Sequence, residues 1–243
     1  MNTIADNLVA VRAVIAAAAA RAHRRAEEIE LVAVSKTHPP DAVIEALEAG
    51  QFVFGESRVQ EARAKIPILP GRARWHFIGH LQRNKIRHAL ALGFELLHGI
   101  DSLEIARDLN RIAGEAGMFP KLLLEVNVAG ESSKYGFSPA KLRAQLEELL
   151  ALERLQIEGL MTIAPFAPEA EASRPHFVAL RELRDQLQTE FRLPLPRLSM
   201  GMSGDYAVAI EEGATLVRVG TAIFGDRSGK AWKPAAEGAT FDD

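Results

Sequence analysis

Short β-branched or apolar runs alternate with longer amphipathic stretches along almost the whole chain. The short runs predict strands at Leu31–Ser35, Phe52–Gly55, Trp75–Ile78, Glu95–His98, Leu122–Val126, Ile157–Leu160, Arg197–Met200 and Leu216–Val219. The stretches between them predict helices at Pro40–Ala49, Arg58–Ile66, Arg83–Leu92, Leu103–Gly117, Pro139–Leu152, Glu169–Phe191 and Asp205–Glu212. An alanine-rich helix precedes the first strand and runs to about Arg25. Boundary residues agree: Asp41 near one start, Ser138-Pro139 as cap and first turn at another, and Gly50, Gly93 and Gly213 as stops.

Strands that alternate with helices pair in parallel through right-handed crossovers. Eight such units in 243 residues suit an α/β fold of the TIM type, a single (β/α)8 barrel with an extra N-terminal helix, whose usual size is about 250 residues. A doubly wound open sheet is the alternative. No linker divides the chain, so residues 1–227 are expected to form the barrel and residues 228–243 a C-terminal tail.

Composition narrows the classes. With 48% apolar and 25% charged residues the chain can fill a large core, and a formal net charge of −3 gives no general attraction to nucleic acid or anionic membrane. The absence of cysteine removes disulfides and thiol nucleophiles. Val14–Ala20 imitates the apolar part of an export signal, but Asp6 and Arg12 interrupt its approach and alanine favours a helix. A cytoplasmic location is expected.

A barrel gathers the residues that follow its strands at one mouth, where active sites of this fold lie. Here those residues are polar and glycine-rich: Ser35-Lys36-Thr37, Gly55-Glu56-Ser57, Gly79-His80, Asn127, Met161-Thr162, Gly201-Met202-Ser203 and Gly220-Thr221. Lys36 closes the first strand. Only a neutral amine attacks an aldehyde, and at an ordinary pKa roughly one lysine in a few thousand is neutral at pH 7. Partial burial raises that fraction, which is the usual route to a Schiff-base lysine. Taken alone, Lys36 reads more plainly as a solvated lysine.

A second constellation changes that balance. Ser203-Gly204-Asp205 opens a helix after the seventh strand, and Gly220-Thr221 follows the eighth. In this fold those two loops commonly bind phosphate through backbone N–H groups, with Ser203 and Thr221 hydroxyls as further donors. Strand eight pairs with strand one at about 4.8 Å in a closed barrel, so a compact molecule with an aldehyde at one end and a phosphate at the other would bridge cup and lysine. Pyridoxal 5′-phosphate (PLP) is one such molecule. Ser203 also reads as an ordinary helix N-cap. Arg218, between Val217 and Val219, is either paired across strands or used.

Over nearly its whole length the chain resembles the pyridoxal phosphate homeostasis protein family, the YggS/PROSC group. The matching stretches are Leu31–Lys36, Gly55–Glu61, Trp75–Lys85, Ser199–Ser203 and Val217–Gly225. The resemblance implies a barrel similar to the N-terminal domain of alanine racemase. It implies that Lys36 forms the Schiff base, that Ser203, Gly220 and Thr221 hold the phosphate, and that Arg218 faces the pyridine nitrogen. Two positions depart from the pattern: Ser57, where the family often has Asn, and Gly99, where Ser is common.

The same resemblance points to binding and buffering of PLP in its intracellular homeostasis, without turnover. An arginine at the pyridine nitrogen keeps it unprotonated, which weakens the ring as an electron sink. Racemisation also needs a second group opposite the lysine, which alanine racemase takes from a tyrosine of another domain. The stretch after strand eight is expected to be too short to hold that domain, and the tyrosines of this sequence are Tyr135 and Tyr206. The expected partners are PLP and apo-forms of PLP enzymes, the expected state a monomer. A PLP-dependent amino-acid racemase and a cofactor-free Schiff-base aldolase are the alternatives.

Other features read plainly. His76 is expected to be a packed or capping histidine, while His80 at the mouth is open to either role. Glu27-Glu28 and Glu147-Glu148 suit solvated helix faces, and Asp242-Asp243 lacks metal-site spacing. No dinucleotide or P-loop signature is present.

Overall fold

The structure is a computed structural model that describes residues 3–131, 134–225 and Trp232. The described residues hold eight strands and nine helices. The strands are β1 (Glu30–Val34), β2 (Val53–Glu56), β3 (Arg74–Phe77), β4 (Leu96–Ile100), β5 (Lys121–Glu125), β6 (Gln156–Met161), β7 (Arg197–Ser199) and β8 (Leu216–Val219). They close into a barrel in chain order, and every pair is parallel. The open-sheet alternative is thereby excluded.

Helix α1 (Ile4–Arg21) precedes the barrel, and each strand is followed by one helix. These are α2 (Pro40–Glu48), α3 (Val59–Lys65), α4 (Ile86–Ala91), α5 (Leu103–Ala116), α6 (Pro139–Leu150), α7 (Arg174–Phe191), α8 (Tyr206–Glu211) and α9 (Thr221–Phe224). Several predicted helices are shorter than expected because their first turn winds more tightly: Arg83–Lys85 and Ala170–Ser173 are 3-10 turns. The single turn α9 was not anticipated.

Helix α1 starts at a capping box, in which the Thr3 side chain accepts from the Asp6 N–H while Asp6 accepts from Thr3. It stops at Arg21, four residues before the expected end. There His23 adopts φ 54°, letting the N–H of Arg24 reach the Ala19 carbonyl at 2.9 Å and its own N–H reach Ala20 at 3.1 Å. The helix buries Leu8, Val11, Ile15, Ala18 and Ala19 and packs on α2, α8 and α9. Its small residues permit close approach, and Asn7 fastens it by donating to the Ile223 carbonyl at 2.8 Å.

Two apolar layers result from strand alternation. One lies between the strands and the helix ring. The other, Val32, Val53, Leu96, Leu123, Met161 and Leu216, fills the barrel interior. Each fully buried large aliphatic side chain contributes roughly 1.5–3 kcal/mol, so the barrel wall is a rigid support for its mouth. No helix among the described residues is long and apolar enough to cross a membrane. The expected tail, residues 228–243, lies outside the described residues except for Trp232, whose N–H donates to the Thr37 carbonyl at 3.0 Å.

Candidate functional site

Strand parity aims Lys36 at the mouth. Val32 belongs to the interior cluster, and Val34 and Lys36 continue its face at two-residue steps. Lys36 itself is half-buried. The next residue, Thr37, has φ 68°, a left-handed conformation that costs a β-branched residue about 1–3 kcal/mol unless its surroundings enforce it. They do. The Thr37 N–H donates to Glu61, and the His38 N–H closes a turn onto the Ser35 carbonyl at 3.1 Å.

Behind this turn sits a buried ionic cluster. Lys65 Nζ donates to Glu56 Oε1 at 2.7 Å, to Glu61 Oε1 at 3.0 Å and to the Ser35 carbonyl at 3.0 Å. The Ser35 hydroxyl donates to Glu56 Oε1 at 2.8 Å. Lys65 and Glu56 are wholly buried. Burial raises the Glu56 carboxyl above the usual range, with the Lys65 ammonium opposing it. Glu61 and Lys65 stand four positions apart on α3, and their inward direction toward strand β1 was not legible in the sequence.

The residues expected to form a phosphate cup do meet. Gly220 N–H donates to Ser203 Oγ at 3.1 Å, and Ala222 N–H does so at 3.4 Å. Ser203 is not the cap of α8, contrary to the plainer reading; Asp205 occupies that position. Asp205 is committed elsewhere, accepting from the Met202 N–H at 2.7 Å and from the Ser173 hydroxyl at 2.9 Å. Thr221 is exposed beside Gly220. A Cβ on Gly220 would stand 3.4 Å from both the Cβ and the carbonyl oxygen of Val34. The cup therefore abuts the strand that ends in Lys36.

Arg218 points into the interior from β8, 4% exposed. The cross-strand ion pair is not what holds it: Nη2 donates to the Thr162 carbonyl at 2.9 Å and Nη1 to the Ser199 hydroxyl. Burial lowers its pKa to about 10, against the charges of Glu125 and Asp205, so it stays cationic at neutral pH.

Across the barrel from Lys36, β5 ends in Glu125. Its side chain is 7% exposed. Burial, reinforced by Asp101, raises its pKa to about 7 against the opposing charges of Arg218 and His80. His80 Nδ1 bonds Asp101 Oδ2 at 2.6 Å, and its ring stacks on Tyr135 with centroids 3.9 Å apart. Beside them Ser57, Arg58, His80, Lys85 and Tyr135 line a cleft of about 750 Å³. Glu125 and Asp101 went unnoticed in the sequence, since a carboxylate at a strand end carries no pattern of its own. His76 is packed as expected, wholly buried against His98. At Gly99 a Cβ would overlap the Gly79 carbonyl oxygen, so the departure to glycine matches a close backbone approach.

This mouth offers an amine, a hydroxyl-and-backbone cup beside it, and a buried cation. No group of three or more His, Asp or Glu among the described residues is placed to hold a metal ion. The described geometry thus fits a small ligand carrying a carbonyl and an anionic group.

Comparison with known proteins gives the same direction. The family described as alanine racemase, N-terminal domain, matches residues 7–228. A pyridoxal phosphate homeostasis protein of Pseudomonas aeruginosa is 45% identical over 231 residues, covering 93% of this chain and 97% of that protein. One from Aquifex aeolicus is 44% identical over 208 residues, covering 85% and 91%. Among solved structures, PipY of Synechococcus elongatus with PLP bound aligns with a TM-score of 0.81 at 43% identity, covering 92% of this chain and all (100%) of that one.

Proposed function

The chain belongs to the alanine racemase N-terminal domain family and, within it, to the pyridoxal phosphate homeostasis proteins, and from that premise we propose that it binds PLP through Lys36 as a Schiff base and serves as an intracellular PLP carrier without turnover. The observation that carries this reading is the close approach of Gly220 to β1, where an added Cβ would stand 3.4 Å from Val34. It supports a phosphate cup within a small ligand's length of Lys36, whose amine takes the aldehyde that PLP supplies. Ser203, Gly220 and Thr221 hold the phosphate by hydroxyl and backbone donors. Arg218 offers a guanidinium to the ring nitrogen, keeping that nitrogen unprotonated. Apo-forms of PLP enzymes are the recipients we assign, and a monomer is the state.

Absorbance tests the reading. Purified protein incubated with PLP is expected to show a visible band that Lys36→Ala abolishes, with weak binding through the cup remaining. A wild-type protein without such a band would sink it.

One observation favours a racemase as the second reading. Glu125 lies across the barrel from Lys36 and titrates near neutrality, where a second proton-handling group would be needed. Sustained inversion of an amino acid in a long chirality assay, lost in both Lys36→Ala and Glu125→Gln, would establish it over the carrier.

A further inference from the structure

Four polar side chains stand in single file inside the barrel: Arg218 on β8, Ser199 on β7, His98 on β4 and His76 on β3. Arg218 is 4% exposed and the other three are wholly buried. Leu216 and Leu96 belong to the interior apolar cluster and precede Arg218 and His98 by two positions on the same strand faces. The file therefore runs through an apolar interior.

Elimination fixes where its protons lie. A guanidinium has only donors, so Arg218 Nη1 donates to Ser199 Oγ. The Ser199 hydroxyl owns one proton, and the other group bonded to its oxygen is His98 Nδ1 at 2.9 Å. That nitrogen is the acceptor. His98 then carries its proton on Nε2 and donates it to His76 Nδ1 at 3.0 Å. His76 in turn is protonated on Nε2, which is buried with no partner among the described residues. The opposite order would aim an imidazole N–H toward the guanidinium charge and leave the Ser199 proton without an acceptor among the described residues. Burial also holds both rings neutral, His98 well below the usual range and His76 at about 3.

The last link is costly. A buried donor without a partner keeps the full penalty of its desolvation, and two apolar side chains would fill the same space without it. We propose that Ser199, His98 and His76 are positioning residues, a one-way hydrogen-bond relay that holds the Arg218 guanidinium toward the cofactor's ring nitrogen. Every imidazole lone pair in the relay faces the cation and every N–H faces away, so the file resists any rotation of Arg218. This role rests on the PLP reading; the relay itself does not.

Nitrogen-15 NMR of the apo protein, labelled at histidine, reads the relay directly. The His76→Leu and His98→Leu variants assign the two signals among the seven histidines of the chain. Both rings are expected to be neutral and Nε2-protonated between about pH 5 and 8. An Nδ1-protonated ring or an imidazolium at either position overturns the relay. The second readout uses PLP-loaded protein. His98→Leu is expected to weaken PLP binding roughly tenfold and to move the pH midpoint of the bound cofactor's visible band by about half a unit or more. Leu96→Ala, which truncates an apolar neighbour, should lower the melting temperature and leave that midpoint in place. If His98→Leu fails to fold, Ser199→Ala carries the same test. An unmoved band in a folded variant would reduce the file to core packing and end the proposal. Failure of the wild type to take up PLP would end the PLP reading instead, with the tautomers still decided.

Discussion

Lys65 Nζ lies 3.0 Å from the carbonyl oxygen of Ser35, one residue before Lys36. The ammonium that anchors the turn is thus distinct from the amine assigned to the cofactor. Through Glu61 the same ammonium also reaches the N–H of Thr37, whose left-handed backbone lies just beyond Lys36. Lys36 is gripped from both sides by one buried cluster.

Removing that ammonium leaves two buried carboxylates facing each other. Lys65→Met is expected to lower stability by about 3–5 kcal/mol, measured as the shift in urea unfolding free energy. A loss below about 1 kcal/mol, within the range of a surface pair, would show that the cluster does not hold the turn.

Glu125 makes stability depend on pH. Its folded pKa, about 7, stands above the ordinary 4.5, so the folded chain binds this proton more tightly than the unfolded chain. The resulting stabilisation is fully present below the unfolded value and is lost as pH rises through 7. Glu125→Gln removes the dependence, so its stability relative to wild type should rise by up to about 3 kcal/mol between pH 4.5 and 8. Urea titrations at the two pH values measure it, and an unchanged difference would refute the buried carboxyl.

At Gly99 the interior leaves no room for a side chain. Gly99→Ser should destabilise by about 1–3 kcal/mol through overlap with the Gly79 carbonyl. A melting temperature equal to wild type would mean that the β3 and β4 ends can separate.

Ser203→Ala removes the oxygen that accepts from Gly220 and Ala222. Binding of PLP should weaken roughly tenfold, while binding of pyridoxal, which lacks the phosphate, should hardly change. Equal losses for both ligands would place the phosphate elsewhere.

Strand positions were legible because a buried parallel strand reads as a short apolar run, and all eight fell where the runs did. The positions of Lys36, Ser203, Gly220 and Thr221 at the mouth were legible because the barrel sends every post-strand residue there. The end of α1 was not, since a histidine at φ 54° takes the place that glycine usually marks. Nor were Lys65, Glu125 and the linkage of the two interior histidines to Ser199 and Arg218. Each is a polar residue whose direction depends on strand closure and on partners distant in sequence: His98 meets Ser199 across 101 positions.

The most direct test of the central claim is to trap the bound cofactor. Wild-type protein saturated with PLP, reduced with borohydride and mapped by peptide mass spectrometry, should carry the phosphopyridoxyl group on Lys36, and Lys36→Ala should lose that label. A wild-type protein left unlabelled, or labelled mainly on another lysine, would contradict the account.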